Sequence, residues 1–349
     1  MKTAVLGISG YTGLLLLRIL HEHPNIESII PVTSSHIGED IRSIDHGLSD
    51  TILDKLKLTE GRLVSIDDAA GFKPDVVFAA LPHLKSAKLL EPFFGKSIVI
   101  DLSADFRIKD PSVFKKAYGE KPPREDLLPE TVYGLCEWNR EKIKHTDIIA
   151  NPGCYPTATL LPLLPLLKEK LISGTIITNA ISGISGGGKK AVLNLLYVER
   201  SENASAYLPG KSHRHQPEIE AEIKSIDKSS DILFTPHLVP LKRGITVSTC
   251  ADIRSSDKKG ISDSRLKDIY ESYYGYSPFI RIRGTDIPET RDVWGTNRCD
   301  IGWRIEKGKI LLFSVIDNLI KGASGQAVQN MNIRVGFNES AGLRINGEV

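Results

Sequence analysis

The sequence predicts an α/β protein in which a parallel-sheet unit is followed by a unit with a mixed or antiparallel sheet. Up to Ala150, short apolar runs alternate with helical stretches, which is typical of parallel strands covered by helices on both faces. A glycine-rich turn separates the first apolar run from the first helical stretch. After Cys154 apolar residues alternate with polar ones, as in a sheet with one buried face.

The elements follow in order along the chain. In the first part we predict helices at residues 14–23 and 83–94. The apolar runs between and around them predict parallel strands at residues 3–6, 26–33, 75–81, 97–102 and 145–150.

The second part has strand patterns of a different kind, in which Ile245, Val247 and Thr249 alternate with more polar residues. We predict strands at residues 175–181, 232–235, 244–253, 279–283, 298–305 and 309–316, and helices at residues 191–200, 217–224 and 262–273. A last helix at residues 324–335 is expected to return to the first unit. The predicted domains are therefore residues 1–150 plus about 318–349, and residues 151–317.

Composition narrows the class of protein. The 349 residues suffice for two or three packed units, and 41% hydrophobic with 25% charged residues is typical of a soluble globular enzyme. A net charge of +2 argues against a nucleic-acid partner and a polybasic membrane anchor. No apolar run reaches the length of a membrane span. The four cysteines are widely spaced and form no CxxC pair, so we expect a reducing cytoplasm and no metal site.

The first glycine turn predicts a dinucleotide site. Gly7, Gly10 and Gly13 follow a strand and open a helix, where glycine lets the backbone approach a pyrophosphate at the helix N-terminus. A glycine-rich turn without a ligand is the alternative. The predicted contacts of the turn also include Ser9, Tyr11 and Thr12.

The end of the second strand favours NADP(H) over NAD. NAD-binding sites place an acidic residue there, on the ribose hydroxyls. This chain reads PVTSSHIGED, and no carboxylate precedes Glu39. Ser34 and Ser35 can instead donate hydrogen bonds to a 2′-phosphate, unless this segment is only a solvated loop.

The motif NPGCYPT predicts a nucleophile. Cys154 follows a tight turn and precedes Pro156, which fits the first turn of a helix. Helix N-termini favour thiolate over thiol, and their N–H groups can hold an oxyanion. Pro162 and Pro165 are expected to kink this helix. The remaining cysteines have the sequence context of structural residues.

GKSHRHQPE supplies the predicted proton-transfer group. His213 and His215 flank Arg214, and alternate residues of an extended segment face opposite ways. One histidine is therefore expected to act as the acid/base, with a slight preference for His215, while the other binds substrate or packs. Arg214 is a candidate substrate-binding residue. A metal site is the competing interpretation of a His-x-His pair, but no Cys or carboxylate cluster accompanies it.

Other motifs offer anion and cofactor contacts. DLSADFR follows a strand end, where Ser103 and Arg107 can hold a phosphate, although a surface ion pair at Arg107 is equally compatible. SGISGGGKK is either a lid over the cofactor or a mobile connection. KGASGQAVQN precedes the last helix. From these segments the predicted cofactor contacts are Gly186, Gly187 and Gly322. Asn332, two residues beyond the last segment, is also a predicted cofactor contact, and Asn151 in the cysteine turn is a predicted substrate contact.

Taken together, these motifs resemble the N-acetyl-γ-glutamyl-phosphate reductases, which belong to the semialdehyde dehydrogenases. The matching segments span residues 7 to 332: GISGYTG, DLSADFR, YGLCEWNR, NPGCYPT, SGISGGGKK, HRHQPEI, TPHLVPLKRGI and KGASGQAVQNMN. The resemblance implies a Rossmann-like NADP-binding domain and an α+β catalytic and dimerisation domain, in a homodimer or homotetramer. It places the nucleophile at Cys154, the acid/base within residues 213–215 and the phosphate-side arginine at Arg107. The chain departs from the family at Cys136, Leu84 and His36, where the family often has proline, glycine and a basic residue.

The implied reaction is the NADPH-dependent reductive dephosphorylation of N-acetyl-L-glutamyl 5-phosphate, an acyl phosphate, through a cysteine thioester in arginine biosynthesis. Three alternatives stay open from the sequence. A sister reductase would act on aspartyl phosphate or carrier-bound aminoadipyl phosphate. A cysteine hydrolase would use Cys154 without a cofactor, and a dinucleotide-binding sensor would have no turnover.

Overall fold

The computed structural model describes residues 1–254 and 260–347. The chain forms two compact units. The first contains Met1–Pro152 and Ala323–Leu343, and the second contains Gly153–Gly322 with the chain from Arg344 onward.

The first unit is built on a parallel sheet of six strands in the order β2-β1-β3-β4-β6-β5, which confirms the predicted α/β class. Its strands are nearly continuously buried, because helices and turns cover the sheet. The strands are β1 (Lys2–Leu6), β2 (Ser28–Val32), β3 (Val76–Ala79), β4 (Ile98–Asp101), β5 (Val132–Tyr133) and β6 (Ile148–Ala150). The helices are α1 (Tyr11–Glu22), α2 (Ile66–Gly71), α3 (Ser86–Leu89), α4 (Pro111–Tyr118), α5 (Cys136–Ile143) and, after the second unit, α10 (Gly325–Val335).

The second unit contains a seven-stranded mixed sheet in the order β11-β12-β13-β10-β7-β9-β8. The pairs β7–β9 and β11–β12 are parallel and the others antiparallel, so the predicted mixed sheet is confirmed. The strands are β7 (Ile172–Ser182), β8 (Ser205–Ala206), β9 (Asp231–Leu238), β10 (Ile245–Ile253), β11 (Ile280–Gly284), β12 (Cys299–Glu306) and β13 (Lys309–Ile316). The helices are α6 (Cys154–Lys168), α7 (Tyr197–Arg200), α8 (His215–Ile226) and α9 (Asp263–Tyr274).

Two predicted helices are wrong in extent. Of residues 83–94 only α3 is α-helical, because Leu84 takes a left-handed conformation with φ of 65° and Pro92 lies in a separate 3₁₀ turn. Of residues 191–200 only α7 is α-helical, after a 3₁₀ turn at Leu193–Leu195. The apolar side chains of this second segment are largely exposed, so it lacks the packing that stabilises most helices.

Helix α6 continues from Cys154 to Lys168 through Pro162 and Pro165, the two prolines at which the sequence predicted a kink. Pro162 and Pro165 lack the N–H groups that would bond to the carbonyls of Ala158 and Leu161. Hydroxyl groups replace them: Ser314 donates to the Ala158 carbonyl at 2.6 Å, and Tyr274 donates to the Leu161 carbonyl at 2.7 Å. Side chains from β13 and α9 therefore satisfy the backbone of the helix that begins at Cys154.

Candidate active site

Cys154 is the first residue of α6, as the sequence predicted. Gly153 is the N-cap residue and no side chain caps this helix start. The N–H groups of the first helical turn have no acceptor within the helix, so they point toward any group bound beside Cys154. The Gly153 N–H donates instead to the Glu218 carboxylate at 2.9 Å, a contact that the sequence analysis missed. The arrangement favours a thiolate at Cys154.

Gly322 lies directly against Cys154. A Cβ added at Gly322 would stand 2.7 Å from the Cβ of Cys154 and 3.2 Å from its Cα. Any side chain at this position would therefore displace the cysteine. Gly322 was predicted as a cofactor contact, and the structure supplies a different physical reason for its glycine, namely the close approach to Cys154.

Aromatic rings surround the two predicted histidines. The Tyr155 ring, next to Cys154 in the chain, packs edge-on against His213 and His215 with centroids 5.7 and 5.9 Å apart. Tyr207 donates a hydrogen bond to the Tyr155 hydroxyl at 3.2 Å. Burial raises the pKa of Tyr155 well above its usual range and that of Tyr207 to about 12, so both stay neutral near pH 7.

His213 and His215 have different environments. His213 is buried, and its Nδ1 accepts a hydrogen bond from the His215 N–H at 3.1 Å, at the first residue of α8. Burial, with a smaller effect of Arg214, lowers the pKa of His213 to about 4, so its ring is a neutral acceptor. His215 is half-buried and Arg214 is exposed. These environments favour His215 as the acid/base.

Backbone hydrogen bonds hold the start of the segment SGISGGGKK, residues 182–190. Ile184 and Ser185 donate backbone hydrogen bonds to Leu241 and Lys242. The Ser185 hydroxyl accepts from Asn318, which also accepts from the Gly244 N–H at 2.7 Å. The predicted cofactor contacts Gly186 and Gly187 end the 3₁₀ turn Ile184–Gly187 and are exposed. A Cβ at Gly187 would collide with the side chain of Leu195 at 2.5 Å. No local sequence pattern indicated this role of Asn318.

In the first unit, the three glycines of the first turn differ in what they require. Gly7 has φ of 76°, and a Cβ there would lie 2.3 Å from the Ala80 carbonyl oxygen. A Cβ at Gly13 would lie 2.4 Å from the Gly7 oxygen. Gly10 is the N-cap of α1, and a Cβ there would contact only the Gly7 oxygen, at 3.6 Å. The outer two glycines therefore shape the turn, and Gly10 lies on its open side.

The open side of this turn fits a phosphate. No side chain caps α1, and its first turn contains no acidic residue. Ser9 lies in the turn, Thr12 is the second residue of α1, and Tyr11 is half-exposed. Ser34 and Ser35 are exposed just after β2.

The segment DLSADFR, residues 101–107, forms a largely buried cluster. Burial raises the pKa of Asp101 to about 6, and its carboxylate accepts hydrogen bonds from the Ser86 and Ser103 hydroxyls at 2.6 Å each. Arg107 is buried and donates to the carbonyls of Asn151 and Leu102. Ser103 and Asn151 are likewise buried, and their roles as substrate contacts stay predictions.

Asn332 also has a structural role. It is fully buried in α10, its Oδ1 lies 2.9 Å from His23 Nε2, and its amide donates to the carbonyls of Glu339 and Ala341. Its polar atoms hold the C-terminal segment of the first unit, and a cofactor contact at Asn332 stays a prediction.

Across residues 1–254 and 260–347, no group of three His, Cys, Asp or Glu residues is placed to hold a metal ion. Within the same ranges, no helix is long and apolar enough to cross a membrane.

Comparisons with known proteins agree with this arrangement. Residues 2–146 match the family model described as semialdehyde dehydrogenase, NAD binding domain, and residues 154–318 match semialdehyde dehydrogenase, dimerisation domain. Among solved structures, an aspartate semialdehyde dehydrogenase II from Vibrio cholerae shares the fold with a TM-score of 0.71 at 20% identity, covering 96% of this chain and 98% of that one. An aspartate semialdehyde dehydrogenase with NADP from Candida albicans has a TM-score of 0.63 at 19% identity, covering 95% and 97%.

Curated relatives are more similar in sequence. An N-acetyl-gamma-glutamyl-phosphate reductase from Geobacter sp. (strain M21) is 43% identical over 353 residues, covering 98% of each chain. Proteins of the same name from Campylobacter jejuni subsp. doylei and Geobacillus kaustophilus are 41% and 40% identical, each covering 99% of this chain and 98% of the relative. The chain belongs to the N-acetyl-gamma-glutamyl-phosphate reductase family.

Proposed function

We propose that this protein uses NADPH to convert N-acetyl-L-glutamyl 5-phosphate into N-acetyl-L-glutamate 5-semialdehyde and phosphate, a step of arginine biosynthesis. The observation that carries the proposal is the position of Cys154 at an uncapped helix N-terminus, with Gly322 against it and the histidine segment beside Tyr155. This arrangement supports nucleophilic attack on an activated acyl group.

Groups of the second unit carry the separate steps of the proposed reaction. The Cys154 thiolate attacks the acyl carbon, and the C–O bond to phosphate breaks to leave a thioester. NADPH, when bound, supplies the hydride that reduces this thioester carbonyl. Collapse of the resulting thiohemiacetal breaks the C–S bond, releases the aldehyde and restores the thiolate. His215 moves the protons, and the N–H groups of the first turn of α6 hold the oxyanion at each tetrahedral stage.

The residues of the first unit fit NADP(H). The uncapped start of α1 and the open side of Gly10 suit a pyrophosphate. Ser34 and Ser35 follow β2, and no carboxylate comes between them and Glu39. The Oε1 atom of Glu39 lies 3.2 Å from Nδ1 of His36. Ser9, Tyr11 and Thr12 are the further proposed contacts. A 2′-phosphate would therefore meet hydroxyl groups rather than a repelling carboxylate.

The reaction is best tested in reverse, because acyl phosphates are labile. The protein is mixed with N-acetylglutamate semialdehyde, phosphate and NADP, and the absorbance of reduced nicotinamide is followed, with NAD, aspartate semialdehyde and Cys154→Ser in parallel. We expect phosphate-dependent reduction of NADP that Cys154→Ser abolishes. Activity with another semialdehyde alone would overturn the substrate. Hydrolysis without cofactor, or tight NADP binding without any turnover, would overturn the reaction class.

The second unit also supports assembly with a second copy of the chain. One face of its sheet is covered by helices, whereas the opposite face exposes an apolar row across four strands, with Leu233, Ile177, Cys250 and Leu311 directly in register. Ile177 and Leu233 are 48% and 54% exposed. This unit matches a dimerisation-domain model, and a second copy can cover the same row by twofold symmetry. We therefore propose a homodimer, or a homotetramer built from it.

Sedimentation measurements test this face. Ile177→Asp places a charge in the middle of the row and should shift the protein toward monomer. Leu58→Asp, at a similarly exposed leucine of the first unit, is the control and should leave the assembly unchanged. An unchanged sedimentation coefficient in Ile177→Asp would contradict the proposed interface.

We further propose that the protein acts in the cytoplasm without a nucleic-acid partner. The net charge of +2 and the four cysteines, all present as thiols, support this assignment.

A further inference from the structure

Glu218 is a buried carboxylate that the proposed reaction does not use. It lies in the first turn of α8, three residues after His215, and only 1% of its surface is exposed. Its Oε1 accepts the hydrogen bond from the Gly153 N–H at 2.9 Å. Removing a carboxylate from water is costly unless strong hydrogen bonds compensate, so this contact requires a physical explanation.

The contact joins the helix that carries His215 to the helix that begins at Cys154. Gly153 is the N-cap of α6, and its N–H has no acceptor within that helix. The start of α8 is held by two further contacts: the Gln216 side chain accepts from the Phe234 N–H at 3.3 Å, and His213 Nδ1 accepts from the His215 N–H. Glu218 therefore links the start of α8 to the turn before Cys154 through its hydrogen bond with Gly153.

The charge of Glu218 cannot be what the nucleophile requires. A carboxylate that bonds to Gly153, the residue before the cysteine, repels a thiolate and disfavours its formation. What the geometry does supply is a fixed acceptor, which holds the Gly153 peptide and so the direction of the first N–H groups of α6.

We infer that Glu218 is a positioning residue that acts as a hydrogen-bond acceptor, fixing the turn before Cys154 to the helix that carries His215. The inference rests on the proposed role of Cys154 as nucleophile. It predicts that glutamine, which keeps an acceptor oxygen and loses the charge, replaces glutamate in this role, and that alanine does not.

The test compares Glu218→Gln with Glu218→Ala in the full-length protein. Glu220→Gln, on the same helix and ion-paired with Lys224 near the surface, is the matched control. Steady-state kcat and KM are measured together with the rate of iodoacetamide alkylation of Cys154 as a function of pH. Cys154→Ser supplies the background from the other cysteines. Far-UV circular dichroism and thermal unfolding establish that each variant is folded.

We expect Glu218→Gln to keep kcat within about threefold of wild type and to shift the alkylation midpoint to lower pH by about half a unit or more, since a repelling charge is removed. Glu218→Ala should lower kcat by roughly 30-fold or more with little change in KM, because the nucleophile loses its orientation while substrate binding persists. Glu220→Gln should match wild type in both measurements.

Two outcomes would overturn the inference. A folded Glu218→Gln as inactive as Glu218→Ala would show that the charge, and not the acceptor, is needed. A Glu218→Ala with wild-type kcat would show that the contact positions nothing. If Glu218→Ala fails to fold, Glu218→Gln still decides. Failure of the proposed function would be distinct, because the wild type itself would show no turnover while the alkylation profiles could still be compared.

Discussion

Two helices of this protein begin in the same way, and we propose different functions for their starts. Helices α1 and α6 each start at a glycine N-cap in extended conformation, without a side-chain cap and without an acidic residue in the first turn. By contrast, Asp110 and Ser262 cap α4 and α9 with their side chains. Such a cap is worth about 1 kcal/mol. Both uncapped starts give up that stabilisation and leave backbone N–H groups for a ligand.

The difference lies in where the N-cap N–H goes and in which residue follows. The Gly10 N–H bonds to the Gly7 carbonyl at 3.2 Å within its own turn, and Tyr11 follows. The Gly153 N–H bonds to Glu218 of another helix, and Cys154 follows. A locally closed turn suits a bound phosphate. A turn tied to a second helix suits a nucleophile that must keep its geometry relative to an acid/base.

Replacing Cys154 should have the largest effect on activity. It should abolish the reaction proposed at the start of α6 and leave the NADP binding proposed at the start of α1 intact. Cys154→Ser should lower kcat by at least about 10⁴-fold, as for other covalent nucleophiles, with NADP affinity unchanged. The measurement is turnover together with NADP titration by fluorescence. A variant that lost NADP binding as well would show that the two helix starts do not act separately.

Substitutions at two glycines of the first turn should have different effects. A substitution at Gly7 should lower the stability of the fold, whereas one at Gly10 should weaken NADP binding. Gly7→Ala combines a left-handed backbone with a Cβ at 2.3 Å from a carbonyl oxygen, so it should lower the free energy of unfolding by more than about 3 kcal/mol. Gly10→Ala has room for its Cβ and should stay within about 1 kcal/mol of wild type while weakening NADP binding about tenfold or more. Urea unfolding and NADP titration measure the two effects. Wild-type NADP affinity in Gly10→Ala would contradict the proposed phosphate position.

His213 should make the second unit sensitive to acid. Its pKa is lowered to about 4 in the fold, so its stabilising effect is complete above the unfolded value near 6.5 and is lost as the pH falls toward 4. The difference in free energy of unfolding between wild type and His213→Asn should therefore shrink across this window, by up to roughly 3 kcal/mol. Asn keeps an acceptor for the His215 N–H. Urea unfolding at several pH values measures this difference, and a pH-independent difference would contradict a neutral buried His213.

The proline-containing helix of the second unit should depend on a distant hydroxyl. Tyr274→Phe removes the donor to the Leu161 carbonyl and leaves that carbonyl buried, which should cost about 1–3 kcal/mol of unfolding free energy. Tyr276→Phe is the control, since Tyr276 is 99% exposed and should change stability by less than about 0.5 kcal/mol. Equal stability of the two variants would show that the hydroxyl does not compensate for Pro165.

Leu84 should give the smallest effect. It holds φ of 65° without being glycine, next to a hydrogen bond from its N–H to the buried Asp105. Leu84→Gly relieves a left-handed strain of about 1–2 kcal/mol but loses more chain entropy on folding, so stability should rise by up to about 1 kcal/mol. Thermal unfolding measures the change. A clear loss of stability would show that the Leu84 side chain contributes more by packing than the strain costs.

The sequence predicted the features that rest on local spacing. The glycine turn, Cys154 at a helix start and the mixed sheet follow from patterns within a few residues, so they could be found without a structure. Glu218 belongs to the recognised segment HRHQPEI, yet its partner Gly153 lies 65 residues away, and no local pattern indicates such a contact. The same holds for Ser314 and Tyr274, whose hydroxyls complete a helix elsewhere in the chain.

Three predicted contact residues have buried side chains with partners inside the protein, and their predicted roles stay predictions. Ser103, Asn151 and Asn332 are polar residues in motifs, and the sequence could not show that their side chains turn into the fold and bond to other groups there. Buried polar groups require partners, so a polar motif at a strand or helix end can serve the fold as readily as a ligand.

In the proposed reaction, Cys154 carries the acyl group. The most direct measurement mixes the protein with N-acetylglutamate semialdehyde and NADP in the absence of phosphate, records reduced nicotinamide in the first turnover, and then analyses the acid-quenched protein by peptide mass spectrometry. We predict one equivalent of NADPH per active subunit and an N-acetylglutamyl thioester on the peptide that contains Cys154, which added phosphate discharges. A burst without an adduct on that peptide, or an adduct on another residue, would contradict the account.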